Sequence, residues 1–400
     1  MHILDSINHR IDRWLTAPVE NAAGRMSLYR IVYVLFYLWV IHDRYHDELG
    51  LLPDDVWVPV RTMTWLTTRP SPEFFRIIEV GLVIGLFLLL IGYRVRTATI
   101  VVFAAGLTLG AFRMSFGKIS HSDLFLTIYI PAIMIFSRWG SNYSLDAYLR
   151  RRRGEPSVSP NEASWRYAWP MHATIILLGV LFFSSGYLKL IKGQWLSDSQ
   201  LISNLLLSHN VRAEQMNRFP NVLNPIIAAT PLIYVPLRFI PLTFELFYPL
   251  AWINRRWRTL FVSTSLVFHA FNVFFLNVVF TPMIITYILF VDWQALYQRS
   301  RRYRPHNLFN LERVSSQVLV AASLLLVAVG AFLWYQDIFV RNLFGTYGLI
   351  NGRLVWFVVA PLALLVQLKT IWQLLGDFSN TLRNQRRNKQ RDLTLESNVT

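Results

Sequence analysis

The sequence contains no cysteine. Disulfides, thiolate nucleophiles, Cys-ligated zinc and Cys-ligated iron–sulfur clusters are thereby excluded, and any chemistry must come from His, Lys, Asp, Glu, Tyr or a bound cofactor. Charge is also scarce: 16% of the 400 residues are Asp, Glu, Lys or Arg, where a soluble domain carries about a quarter. Acidic residues are the scarcer sign, 23 against 39 Lys and Arg. No Gly-rich phosphate loop, no Ser-His-Asp order and no zinc-protease signature occurs. No cleavable signal peptide is expected, because the first apolar run follows Asp5, Asp12 and Glu20 and carries Arg30 inside it.

Apolar residues fill the space that charge leaves. They make up 54% of the chain, with 15% aromatic, in runs longer than a soluble core uses. This composition implies an all-α, polytopic transmembrane helical bundle. The net charge of +16 does not imply nucleic acid, because membrane proteins collect Lys and Arg on their cytoplasmic loops. The expected partner is the lipid bilayer.

Residues 1–25 are expected to hold an amphipathic surface helix, with Leu4, Ile7, Ile11 and Leu15 at helical spacing against Asp5, Asn8, Asp12 and Arg13. The main membrane domain runs over 26–293, followed by a basic loop and two further transmembrane helices over 294–376. A basic tail, 377–400, has the composition of a disordered segment. Spans are expected near 26–41, 74–91, 97–112, 122–136, 168–190, 241–253, 259–279, 282–291, 317–334 and 354–375, about ten in all. The stretch from Gly193 to Pro241 is a long polar excursion broken by Pro220, Pro225, Pro231 and Pro236, with short amphipathic pieces near the interface.

Threading the spans alternately puts Arg94/Arg96, Arg150 to Arg153, Arg255/Arg256/Arg258, the loop from Arg299 to Arg304 and the tail on one side. The positive-inside rule makes that side the cytoplasm, with both termini there. The other side then gathers four polar helix ends: His42 to Glu48, Gly117 to Asp123, Tyr187 to Trp195, and the corner from Asn277 to Pro282. Ionisable groups at these depths are costly unless they face a cavity or each other.

Lys189 lies at the end of the run from Ala168, in the turn Gly186-Tyr187-Leu188-Lys189-Leu190, with Trp195 beyond. Two roles fit it. It can snorkel, stem in lipid and ammonium among headgroups, with Trp195 as a belt residue. It can also serve as a base, since an ammonium drawn partly out of water gives up its proton more readily. Ser184, Ser185 and Gly186 let a helix or a flat ligand approach the backbone closely.

His121 starts the fourth span, as a cap or as a site residue. His269 and Asn272 are three apart and share a helical face, where they can act as interhelical glue or line a pocket. Glu245 and Glu79 are acids inside spans, and each needs a partner. Glu245 is read as structural. His42 and His46 have a metal-compatible spacing but form only half a site, so no metal is expected.

His121-Ser122, Gly186-Tyr187-Leu188-Lys189-Leu190 with Trp195-Leu196, Phe244-Glu245, and His269-Ala270-Phe271-Asn272 running on to Pro282 resemble, in that order, the membrane domain of vitamin K-dependent γ-glutamyl carboxylase. That domain is shared with the bacterial HTTM (horizontally transferred transmembrane) family. The likeness covers roughly Ser27 to Trp293. It implies a bacterial inner-membrane protein, and the threading above puts its site on the periplasmic or extracellular side. It also implies that Lys189 deprotonates a vitamin K hydroquinone or menaquinol, with O2 and CO2 as co-substrates of a carboxylase- or epoxidase-like lyase. His121 would hydrogen-bond the quinone oxygen, and Gly186, Tyr187, Trp195, His269 and Asn272 would line the pocket. The family turn carries two adjacent lysines where this chain has Leu188-Lys189, and two spans and a tail stand here in place of the carboxylase's large extramembrane domain. The alternative reading is a non-enzymatic membrane protein that assists maturation, export or immunity of a secreted or membrane partner protein.

Overall fold

The computed structural model describes residues 2–41, 47–117, 121–215, 220–276, 278, 280–301, 315–335 and 355–377. Among them the regular elements are helices, with no strand. The chain opens with α1 (His2–Leu15), α2 (Ala22–Ile41), α3 (Pro72–Ile91) and α4 (Val95–Phe116). Next come α5 (His121–Leu124) and α6 (Ile130–Ile135), joined by a π-helical turn at Phe125–Tyr129, then α7 (Leu145–Arg152) and α8 (Trp165–Ile191). A series of short helices follows: α9 (Gln194–Ser197), α10 (Leu201–Gln215), α11 (Leu223–Ala228), α12 (Pro231–Leu237) and α13 (Phe239–Phe247). The chain continues through α14 (Arg255–Phe275), α15 (Ile284–Ile288), α16 (Trp293–Arg301), α17 (Ser316–Tyr335) and α18 (Val355–Asp377).

Six of these helices, α2, α3, α4, α8, α14 and α18, are long and apolar enough to cross a membrane. The expected span near 122–136 is a shorter apolar stretch, Ser122–Ile135, and the one near 317–334 is apolar over Ser316–Phe332. The segments near 241–253 and 282–291 are broken: α13 gives way to a 3₁₀ turn, Tyr248–Trp252, and α15 follows another, Thr281–Met283. Pro249 and Pro282 lie in those turns and lack the N–H that a continuous α-helix needs. The π turn has a similar origin. Pro131 cannot donate to the Thr127 carbonyl, so the helix widens just before it. Gly106 of α4 sits against that carbonyl, where a Cβ would come within 2.5 Å. The tail beyond Asp377, the cluster from His42 to His46, Lys118 and Asn277 lie outside the described residues.

The helices fall into two compact units, Met1–Thr174 with Phe280–Gly352, and Ile175–Val279 with Arg353–Thr400. In the first, α2 carries Tyr29, Tyr33 and Tyr37 at four-residue intervals on one buried face. Tyr29 donates to the Ile285 carbonyl at 3.0 Å and Tyr33 to the Leu126 carbonyl at 2.7 Å. Leu126 lies in the π turn and Ile285 in α15, so each phenol binds a carbonyl of an irregular or short helix.

Arg30, on the same helix, is fully buried. Its guanidinium donates to the Trp139 carbonyl at 3.3 Å and to the Tyr143 carbonyl at 2.6 Å. Trp139 in turn donates through Nε1 to Thr99 Oγ1 of α4 at 3.2 Å. Arg30 thus pins the turn after α6, so this intramembrane charge is structural. The connection from α3 to α4 is set by Gly92, the left-handed C-cap of α3 at φ 74°, and by Asp146 of α7, whose carboxylate accepts from the Arg94 and Val95 amides at the start of α4.

Removing the Arg30 head group leaves two buried carbonyls without their donor. Arg30→Leu is therefore expected to cost about 3 kcal/mol in a reversible unfolding measurement in detergent, since each hydrogen bond to a charged group contributes roughly 1.5–3 kcal/mol. A loss within error of zero would remove the pinning role.

Candidate functional site

The site is built on a seam inside the second unit. On α8, Gly179, Phe182, Gly186 and Lys189 fall at intervals of three and four, so they share one face. That face meets the stretch from Phe239 to Trp252 running antiparallel to it. A Cβ on Gly179 would lie 2.5 Å from the Trp252 indole nitrogen, and one on Gly186 would lie 2.9 Å from both the Glu245 Cβ and the Leu246 amide nitrogen. The two glycines therefore set the separation of the helices. Trp252 donates back to the Ile175 carbonyl of α8 at 3.0 Å. Between the glycines, Phe182 stacks on Tyr248 with centroids 4.4 Å apart and planes 13° from parallel, and meets Phe244 edge-on at 5.1 Å.

At the far end of the seam, Lys189 Nζ donates to Glu245 Oε1 at 2.5 Å. The Glu245 side chain is 4% exposed and that of Lys189 22%. The ammonium also lies 4.7 Å from the centroid of the Trp195 ring, a cation–π arrangement supplied by the short helix α9. The Ser185 hydroxyl interacts with the same carboxyl group, yet Glu245 Oε2 is buried and accepts no completed hydrogen bond among the described residues. Lys189 thus does more than snorkel, because its head group turns inward to a carboxylate.

The other residues singled out in the sequence fall in several places. His269 and Asn272 of α14 are both buried. The His269 ring lies 6.1 Å from Phe182 and 6.4 Å from Trp356 of α18, so it belongs to the aromatic layer of the seam. Asn272 accepts through its backbone carbonyl from the Leu276 and Val278 amides and so helps to close the end of α14. Tyr187 is 49% exposed and stacks on Phe183, away from the seam face. His121 begins α5 in the first unit, and its side chain lies outside the described residues. Among the described residues no group of three or more His, Asp or Glu could hold a metal.

The partnership with Glu245 was hidden in the sequence, where Glu245 reads as a structural acid. Two signals pointed toward it: a carboxylate inside an apolar segment needs a cation, and the spacing of Gly179, Gly186 and Lys189 marks one close-packed face.

A buried pair that loses one member leaves an uncompensated charge, while replacing both members is far less costly. Lys189→Met alone is expected to lower unfolding free energy by about 3 kcal/mol. Lys189→Met with Glu245→Gln should recover most of that loss, and strict additivity of the two changes would exclude a direct pair. No protein-family model, no curated protein and no solved structure matches the chain.

Proposed function

We propose that this chain is a proton-handling membrane enzyme in which Lys189 and Glu245 act together on the acidic hydroxyl of a bilayer-soluble hydroquinone, of the vitamin K or menaquinol type. The observation that carries the reading is the 2.5 Å contact between an amine and a buried carboxyl group at the end of an apolar helix. Moving the proton from Lys189 to Glu245 within that contact turns an ion pair into a neutral pair, with no net charge carried into the apolar surroundings. The freed lone pair on Nζ is then able to accept a proton from an acid. The resulting ammonium pairs electrostatically with the anion so formed, while Glu245 keeps the first proton.

The residues present suit such a ligand. The Glu245 carboxyl group, buried and faced by the Ser185 hydroxyl, is the acceptor a ligand hydroxyl would share, and Trp195 presents an aromatic ring beside the amine. Leu188, Ile191 and Leu196 are exposed at this end of α8 and would hold an apolar tail. Once bound, a hydroquinone supplies an acidic hydroxyl and an electron-rich ring, for which the resemblance to vitamin K-dependent carboxylase adds O2 and CO2 as co-substrates. A partly dry site favours this proton transfer by excluding water as a competitor.

The wider placement belongs to the same proposal: an HTTM-type protein of the bacterial inner membrane with about ten crossings, both termini in the cytoplasm and the Lys189 end on the outer side. The six long apolar helices support a multi-pass protein, and the arginines beside the start of α4, before α8 and at the start of α14 support the orientation. The alternative, a non-enzymatic protein serving a partner, is favoured by the same ion pair, since a closed Lys–Glu contact also works as interhelical glue.

Turnover separates the two. Purified protein in nanodiscs should consume O2 or oxidise menaquinol. Lys189→Met/Glu245→Gln, which keeps the seam without its proton carriers, should lose at least about a hundredfold, the lower end of general acid–base contributions. Absence of quinol binding and turnover in the wild type would leave the glue role alone. For the threading, a membrane-impermeant thiol reagent added to the outside of intact cells should miss Arg153→Cys and Arg256→Cys, and reach both after permeabilisation. Labelling of either in intact cells would overturn the assigned orientation.

A further inference from the structure

Between Asn221 and Arg238 there is no charged residue, and the stretch 222–237 reads by composition as a hydrophobic segment. It does not form one helix. Pro225, Pro231 and Pro236 remove backbone donors, and the segment divides into α11, of six residues, and α12, of seven. At 1.5 Å per residue each helix is only about 10 Å long, against a hydrocarbon core of about 30 Å, so neither crosses it.

The outward side of the segment is apolar. Val222 is 79% exposed and Leu232 89%, and Ile226, Ile233, Phe239 and Ile240 are exposed with them. Most of the polar groups point the other way and have partners; Asn224 Oδ1 and two nitrogens of Arg238, whose guanidinium lies over the Phe239 ring at the end of the segment, have no hydrogen-bond partner among the described residues. Asn224 is fully buried and donates to the carbonyls of Leu206 and Phe275, as well as to Asn210 Oδ1. Asn221 donates to the Phe274 carbonyl and accepts from the Leu223 amide. Ser203 of α10 donates to the Ala228 carbonyl at the end of α11, and Thr230 to the Ile226 carbonyl.

These bonds serve the frayed ends of α11 and α14, where water would suffice for a loop on an aqueous surface. Internal satisfaction of broken backbone is what a hydrocarbon environment demands. An exposed face of apolar residues, over a broken segment in which side chains bond the ends of α11 and α14, fits acyl chains. The segment is also continuous in sequence with α13, whose Phe239 and Ile240 extend the same exposed surface.

We infer that residues 222–240 form a re-entrant hairpin seated in one leaflet of the bilayer, its outward apolar face against lipid acyl chains, entering and leaving on the same side. This placement is independent of any catalytic role for Lys189. It makes the excursion after α8 part of the membrane domain, with no added crossing.

The absence of native cysteine allows nitroxide labels at Val222→Cys, Ile226→Cys, Leu232→Cys and Ile240→Cys, all exposed positions that leave the packing alone. The full chain in nanodiscs of phosphatidylethanolamine and phosphatidylglycerol is the sample. Collisional relaxation should show access to oxygen and exclusion of a water-soluble nickel chelate at all four sites. A label at the exposed Arg153→Cys, as control, should show the reverse. Depth should be greatest at Ile226 and Leu232 and return toward the headgroups at Ile240. Nickel access at the four sites would overturn the inference, as would a depth that runs steadily through the mid-plane. Shielding from both reagents would overturn it too, because a protein, another copy of this chain or a different one, would then cover the face.

Discussion

The carboxylate of Glu245 sits on a helix of nine residues, bounded by Pro241 near its start and Pro249 just beyond its end, and its ammonium partner belongs to the 27-residue α8. The contact between them depends on how closely the two segments approach. That approach is possible because Gly179 and Gly186 have no Cβ to collide with Trp252, Glu245 and Leu246. Phe182 then fills the interval against Phe244 and Tyr248. The ion pair therefore closes a seam whose spacing is fixed by glycine and filled by aromatic rings. In apolar surroundings neither partner is stable without the other.

The same constraint governs the rest of the chain. A helix that ends or breaks inside an apolar region exposes carbonyls that lipid cannot satisfy. This fold meets them with side chains. Arg30 takes the carbonyls of Trp139 and Tyr143, Tyr33 takes one from the π turn, and Asn221 and Asn224 take those at the end of α14. Each of these residues reads in sequence as a polar intrusion into an apolar stretch. The structure uses each to tolerate a proline or a short element.

A pair that holds helices together can also move a proton, because a short contact between an amine and a carboxyl group stabilises both the ionic and the neutral form. The proposed chemistry and the structural role are thus two uses of one geometry.

Composition and periodicity determined that this chain is helical and apolar, where its long helices lie, and that chemistry must rest on nitrogen and oxygen groups. Hydrophobic run length is a local property, so α2, α3, α4, α8, α14 and α18 were legible within a few residues. The broken segments were less so: the apolar stretches near 241–253 and 282–291 look continuous, and the prolines that convert them to 3₁₀ turns act through missing backbone bonds that hydropathy does not register. Lys189 could be singled out from its turn, and Glu245 could be seen to need a partner. Only the tertiary structure decided that they meet, because residues 56 positions apart are joined by the close packing of two helices, a property of shape that neither segment carries by itself.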